Sequence, residues 1–362
     1  MKPIRVLLLY ASGADNRTWS YQTSWPRQFA HCHKFACTLL NVMDRGAANR
    51  LRGQWLARTW RGDAVVLLHS VFSNACYLEG RLLDVVAAMP LPKAYFIGNE
   101  YKDMPAKMAF AERLPLALLV SQSGSPAIHR LYRERLNCAV IGIPNTGLDP
   151  AVFFPRRAPA ERAIDLGYRS QDSPIYLGHQ ERRDIAEYFQ AHAGRLGVTV
   201  DISLDESRRF DEPGWAAFLN CCKGQLGTEA GGDYFDLEDT TRLAVCRFTE
   251  QVPQWTLEEI RRRFFADTHM LKLRIVSGRN IEAAGTRTVQ VLFEGDYSGY
   301  FQPDVHYIPL KNDFSNVDEA IGKFRDAAFR DTIAGNAYQV ARDELTYDRL
   351  LDRVHDALRP LL

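Results

Sequence analysis

What the chain lacks narrows the field first. None of its 362 residues falls in an apolar run long enough to span a bilayer, and the longest runs, such as Ala64-Val65-Val66-Leu67-Leu68, have the length of a strand. The opening Met1-Lys2-Pro3-Ile4-Arg5-Val6-Leu7-Leu8-Leu9-Tyr10 is basic and then apolar, but its apolar core is too short for a signal peptide, so it reads as a first buried strand. Cysteine is sparse and irregular. The seven (32, 37, 76, 138, 221, 222, 246) are odd in number and show no paired metal-ligand spacing, which points to reduced thiols in a cytoplasmic protein. There is no P-loop, and Gly227-Thr228-Glu229-Ala230-Gly231 does not make the glycine-rich dinucleotide fingerprint.

What is present fits a soluble globular protein, with 46% apolar and 25% charged residues, and the length favours two domains over one core. The net charge of +1 hides an asymmetry. Residues 1–155 carry 18 basic and 10 acidic side chains, a surplus of +8, and the remainder is correspondingly acidic at −7. A basic front half suits an anionic membrane surface or an anionic acceptor, or is ordinary scatter between two domains.

The front half alternates β and α. Apolar, β-branched runs at Ile4–Leu9, Ala36–Val42, Ala64–Leu68, Ala94–Ile97, Leu116–Val120 and Ala139–Ile143 are separated by helix-compatible stretches such as Tyr77–Ala88 and Ser125–Leu136. This predicts a doubly wound parallel sheet, whose ligands collect beyond the carboxyl ends of the strands. The segments at those ends therefore supply candidates: Asp15 with Trp19 and Tyr21 in the loop after the first strand, His69 after the third, and Asn99 with Glu100 after the fourth. Exposed aromatics there suit sugar stacking or simply cap the core. Strand ends are also turns, and turns are polar on their own account.

Pro144-Asn145-Thr146-Gly147-Leu148-Asp149-Pro150-Ala151-Val152-Phe153-Phe154-Pro155 reads as a hinge, three prolines and a glycine within a dozen residues. A second α/β unit follows, with strands at Ala163–Arg169 and Val198–Ile202, a helix over Gln180–Leu196, a short helix over Trp215–Cys222, a segment Gly224–Gly227 that leads into a turn, and a charged helix at Leu257–Phe265 within an insertion.

"PNTGLDPAVFFP" (144–155) resembles the interdomain segment of GT-B glycosyltransferases, "TEAGG" (228–232) their Ser/Thr-Glu-Gly-x-Gly element, and "IEAAGTRTVQ" (281–290) the Leu-Glu-Ala-x-Ala-x-Gly-x-Pro-Val element of the retaining group-1 families. "AIDLGYRS", "WAAFLNCCKGQLGTEAGG" and "HYIPLKNDFSNVDEAI" are similar to a branch related to spore maturation proteins. The resemblance covers most of residues 140–350 and is weak before them.

It implies a GT-B fold of two Rossmann-like doubly wound domains facing an interdomain cleft. The acceptor domain would span 1–150, the donor domain 151–345, and a last helix over 346–362 would cross back to the first. It implies a retaining transfer of a sugar from a nucleotide-diphosphate donor to a saccharide or lipid-linked acceptor in cell-surface polysaccharide or glycoconjugate synthesis. No metal, no cofactor and no nucleic-acid partner is expected, and the location is cytoplasmic, with peripheral contact at the inner face of the membrane through the basic front domain. Glu282 would stand at a helix start and bind the ribose, with Ala283, Ala284, Gly285 and Thr286 letting the backbone approach. Glu229 would face the transferring sugar, Arg169 would hold the departing diphosphate, and Arg182, Arg183 and Lys223 would be further donor-side cations. In the family the two glutamates stand eight positions apart. Here Arg274 occupies the position eight before Glu282, so matching Glu229 to the first glutamate requires some 50 inserted residues. A sugar-nucleotide 2-epimerase on the same fold, or a non-catalytic nucleotide-sugar-binding relative, remains open.

Overall fold

The computed structural model describes residues 2–13, 20–44 and 46–362, and the side chains of Ser20, Tyr21 and Arg50 also fall outside that description. The chain divides into two compact units. The first holds Met1–Asn145, Phe235–Thr240 and Tyr347–Leu362, and the second holds Thr146–Tyr234 and Thr241–Thr346.

The first unit runs β1 (Ile4–Tyr10), α1 (Ser20–His31), β2 (Phe35–Asn41), α2 (Ala47–Thr59), β3 (Ala64–Leu67), α3 (Gly80–Ala87), β4 (Lys93–Phe96), α4 (Met104–Glu112), β5 (Leu118–Ser121), α5 (Pro126–Leu136) and β6 (Ala139–Gly142). The six strands form one parallel sheet in the order β2-β1-β3-β4-β5-β6. Leu7, Leu8 and Leu9 of β1 and Val65, Val66 and Leu67 of β3 are all buried, as expected of strands covered on both faces.

The second unit contains β7 (Ile164–Arg169), α6 (Glu181–Leu196), β8 (Val200–Ser203), α7 (Glu212–Leu219), β9 (Cys222–Gly227), β10 (Ala230–Gly232), α8 (Thr240–Gln251), α9 (Leu257–Phe264), β11 (Leu273–Ile275), α10 (Gly278–Gly285), β12 (Val289–Phe293), β13 (Ile308–Leu310), α11 (Val317–Arg325) and α12 (Ala327–Glu344). Its main sheet is also parallel, in the order β13-β12-β9-β7-β8, and β10 pairs β11 antiparallel beside it. Helices α8 and α9 close a small core of their own around Val245, Phe248 and Ile260.

Gly224–Gly227, legible in the sequence only as a lead into a turn, is the end of β9, the central strand of the second sheet. Glycine is present there because neighbours press in from both faces. A Cβ on Gly224 would stand 2.7 Å from the Phe324 ring, and one on Gly227 would stand 2.8 Å from Leu292. A run of Cys-Lys-Gly-Gln-Leu-Gly has little intrinsic β preference, so tertiary packing overrides it.

The last helix, α13 (Tyr347–Leu358), belongs to the first unit. Tyr347, Leu350, Leu351, Val354 and Leu358 form its buried stripe, in one core cluster with Ile4, Val6, Leu8, Trp25 and Phe29. Burying such side chains contributes roughly 1.5–3 kcal/mol each. Tyr347 meets the Trp25 ring edge-on at 5.0 Å, and Lys34 pairs Asp352 at 2.6 Å. Among the described residues no helix is long and apolar enough to cross a membrane.

Candidate functional site

The carboxyl ends of β7, β9 and β12 bring the second unit's unusual polar groups to one edge of its sheet. Strand β9 runs out into Thr228 and Glu229, and β12 runs out into the loop that contains Gly295 and Tyr297. The two strands are parallel neighbours, so the loops meet. Tyr297 N–H donates to Glu229 Oε1 at 2.7 Å, and Glu229 packs so tightly on Gly295 that a Cβ there would stand 2.7 Å from Oε2. Burial pushes the Glu229 carboxyl above its usual range, opposed by the Tyr297 N–H and by the charge of Arg274.

Arg274, at the place where the family pattern has an acid, lies behind this loop on β11. It donates to both oxygens of Glu181, at 2.8 and 3.0 Å, and to Asp233 at 3.0 Å. The two carboxylates hold it charged against burial. Asp233, the first acid of the Asp-Tyr-Phe-Asp run, is thereby committed to an ion pair. His179, whose Nε2 lies 3.0 Å from Gly231 O, is lowered to about 4 by burial and by Arg274, so it stands neutral. Gly231 and Gly232 serve the fold. Gly231 has φ +87°, and a Cβ on it would stand 1.8 Å from Leu273 O, while one on Gly232 would stand 3.0 Å from Leu177.

Glu282 is not at a helix start. Helix α10 begins at Gly278, capped by Ser277, whose hydroxyl accepts from Asn280 N–H and donates to Asn280 Oδ1 at 2.6 Å. Glu282 stands in the middle of that helix, buried, with Oε2 accepting from the Trp215 indole N–H at 2.8 Å. Ala283, Ala284, Gly285 and Thr286 form the far end of α10 and face protein. A Cβ on Gly285 would stand 2.3 Å from Leu148, and Thr286 O accepts from Arg162 at 2.8 Å. Their smallness admits the Leu148 segment, not a ligand.

The cation at the start of α10 is Arg279, a residue that no motif in the sequence singles out. It is the second residue of the helix and part-buried. Burial first, and then the charge of Arg182, lower it to about 10, with Arg209 adding to the repulsion and Glu282 and Tyr168 opposing it. Arg182, in the first turn of α6, has a buried Nε with no hydrogen-bond partner. Among the described residues neither Arg279 nor Arg182 forms an ion pair. Two arginines that feel each other's charge, neither in an ion pair among the described residues and each in the first turn of a helix, make a place for an anion.

The other expected cations are engaged elsewhere. Arg169 is buried at the end of β7, where it donates to Asp201 Oδ1 at 2.8 Å and to Asp201 O at 2.9 Å and lies 4.4 Å above the Phe218 ring. Arg183 pairs with Asp172. Lys223 pairs with Asp165 at 2.8 Å, at the amino edge of the sheet. It is the second residue of β9, six positions before Glu229, and in extended chain that is about 20 Å.

In the first unit, Asp15 and Trp19 and the side chain of Tyr21 lie outside the described residues. His69 is buried in the turn after β3, and burial lowers it to about 3. It lines a small cavity with Trp25, Ser121, Gln122 and Asn145. Asn99 sits at φ +48° and donates to Ser73 Oγ and Asn74 Oδ1. Glu100 is fully buried and accepts from Tyr132 O–H at 2.6 Å, Ser121 O–H at 2.7 Å and Gln122 N–H at 2.6 Å. It locks β5 to α5 and does not face outward.

No protein-family description and no curated protein matches this sequence. Solved structures do resemble it over its length. Anabaena Alr3699/HepE, solved in complex with UDP and glucose, superposes with a TM-score of 0.53 at 12% identity over 99% of this chain and 100% of that one. Sucrose-phosphate synthase from Thermosynechococcus elongatus gives 0.54 at 9% identity over 99% of each chain. The N-terminal domain of Candida albicans trehalose-6-phosphate phosphatase gives 0.53 at 8% identity over 99% of this chain and 97% of that one. At these identities the likeness concerns the fold, which is the GT-B type with two Rossmann-like bodies.

Proposed function

We propose that the chain is a glycosyltransferase whose second unit binds a nucleotide-diphosphate sugar and whose first unit binds a saccharide or lipid-linked acceptor. The observation that carries this reading is a pair of arginines, Arg279 in the first turn of α10 and Arg182 in the first turn of α6, neither with an ion-pair partner among the described residues and the second with a buried Nε that no acceptor meets. A diphosphate fits it by charge and by the bidentate geometry of guanidinium groups. Glu282, in the same helix three residues on from Arg279, then offers a carboxylate to the ribose hydroxyls. The HepE structure was solved with UDP and glucose, which is consistent with a ligand of this class.

In the reaction the acceptor hydroxyl oxygen replaces the diphosphate oxygen on the anomeric carbon, the nucleotide leaves with the bonding electrons, and the departing phosphate oxygen takes up the acceptor's proton. Arg279 and Arg182 neutralise that leaving group as its charge develops. Arg169, committed to Asp201, fixes the end of β7. Glu229 faces the sugar ring, where an acidic group stabilises growing positive charge, and retention is the stereochemical outcome that accords with the motif pattern. Positioning supplies the rest of the rate. Release of nucleotide from a panel of sugar nucleotides, with and without candidate acceptors, tests this. Acceptor-dependent release supports a transferase, whereas binding without turnover by any donor and acceptor makes the chain a binder.

A further inference from the structure

Helix α2 has one face that the fold covers and one that it leaves in water. The covered face holds Gly53, Ala57 and Trp60. A Cβ on Gly53 would touch Leu40 and Leu82 at 3.4 Å, Ala57 is buried, and the Trp60 indole N–H, just past the helix, donates to Thr38 Oγ1 at 3.1 Å. At 3.6 residues per turn, Leu51 and Trp55 stand one turn apart at the middle of the opposite face. They are 67% and 62% exposed, the two most exposed of the large apolar side chains described. Arg52 and Arg58 are exposed beside them. Between Asp44 and Asp63 the sequence places five arginines (45, 50, 52, 58, 61) and no carboxylate.

A single exposed leucine carries no meaning. A leucine and a tryptophan in register, set among arginines with no acid in the same stretch of chain, are another matter. Aqueous packing leaves their apolar area unused, and the charge surplus opposes contact with a second copy of the same basic face. We infer that the outward face of α2 docks on an anionic lipid bilayer. Trp55 and Leu51 enter the headgroup layer, where an indole finds both apolar chain and polar partners. Arg52 and Arg58 meet lipid phosphates, and their stems lie along the interface while their heads reach the phosphate oxygens. Docking would hold the first unit at a surface that carries lipid-linked molecules, and it stands whether or not the chain transfers a sugar.

The test is flotation of the full chain with vesicles of phosphatidylcholine alone or mixed with phosphatidylglycerol. Binding is expected to the mixed vesicles only and to weaken as salt is raised. Each interfacial arginine is worth about fivefold in partition, so Arg52→Glu with Arg58→Glu should reduce binding more than about twenty-five-fold. Leu51→Ser with Trp55→Ser should also release the protein. All four positions point outward, so far-ultraviolet circular dichroism and melting should match the parent and separate lost docking from lost folding. Absence of binding to the mixed vesicles overturns the proposal, as does binding that survives either double variant. A concentration-dependent dimer that Leu51→Ser with Trp55→Ser dissolves, in a chain that ignores vesicles, reassigns the face to self-association.

Discussion

The indole N–H of Trp215 on α7 donates to Glu282 Oε2 on α10 at 2.8 Å, so the most buried acid of the second unit's edge is held by a ring and not by a helix end. Trp215 in turn stacks on Phe218 at 5.6 Å. Trp215→Phe keeps the stacking and removes the donor. The carboxylate then loses the indole hydrogen bond, at a cost of about 1–3 kcal/mol in urea unfolding. Glu282→Gln keeps an oxygen for the indole but loses the charge, so donor affinity in calorimetry should fall roughly tenfold or more. Unchanged affinity would remove Glu282 from the ligand.

Arg279→Ala separates ligand binding from folding. The variant loses a charge-assisted contact to phosphate, worth roughly tenfold to a hundredfold in affinity for a nucleoside diphosphate. It also relieves repulsion with Arg182, so the melting temperature should hold or rise in the absence of ligand. Arg169→Ala should behave in the opposite way and melt earlier, because it leaves Asp201 with only the longer pair to Arg208 at 3.9 Å and uncovers Phe218. A variant at 279 that melts early yet binds nucleoside diphosphate as the parent does would make Arg279 a structural residue.

Glu229 ties stability to pH. Its folded carboxyl is raised by burial, so between the unfolded value near 4.5 and the higher folded one the unfolded chain holds fewer protons. Stability from this group is therefore full below the unfolded value and declines as pH rises through the folded one. Glu229→Gln removes that decline, and its stability relative to the parent should improve steadily from acid toward neutral pH in denaturant titrations. Turnover should fall far more than donor affinity, since the interaction strengthens only in the transition state. Equal losses in both would make Glu229 a ground-state ligand.

Gly231→Ala should be among the most damaging single substitutions in the chain. It combines a left-handed backbone with a methyl 1.8 Å from Leu273 O. Left-handed strain alone costs about 1–3 kcal/mol, and the clash parts β10 from β11. Because Glu229 lies in the segment leading into β10, turnover should fall with the melting temperature. Normal turnover in a folded Gly231→Ala variant would uncouple the β10–β11 pair from the site.

Much of the fold could be read from the sequence because parallel strands covered on both faces are written as continuous apolar runs. Ile4–Leu9 and Ala64–Leu68 fall within a residue of β1 and β3. Strand β9 escaped because its glycines answer to Phe324 and Leu292, residues 100 and 65 positions away along the chain. Charge pairing escaped for the same reason. Lys223 looks like any other cation until Asp165, 58 residues earlier, is seen against it, and Arg169 until Asp201 is. Arg279 is the converse case. Its significance is that no carboxylate pairs with it among the described residues, and a lone arginine before a small-residue motif gives no sign of that.

The ends of the second unit are fastened to each other. Leu148 N–H donates to Leu345 O at 2.7 Å, and a parallel bridge joins Leu148 to Thr346. The chain therefore enters and leaves that unit through one doorway, and for the first unit everything between is a loop with a closed base, apart from the short return of Phe235–Thr240. Doubling the length of such a loop adds only about 0.6 kcal/mol of closure entropy. The second unit is thus free to lengthen or shorten while the first keeps the same folding problem.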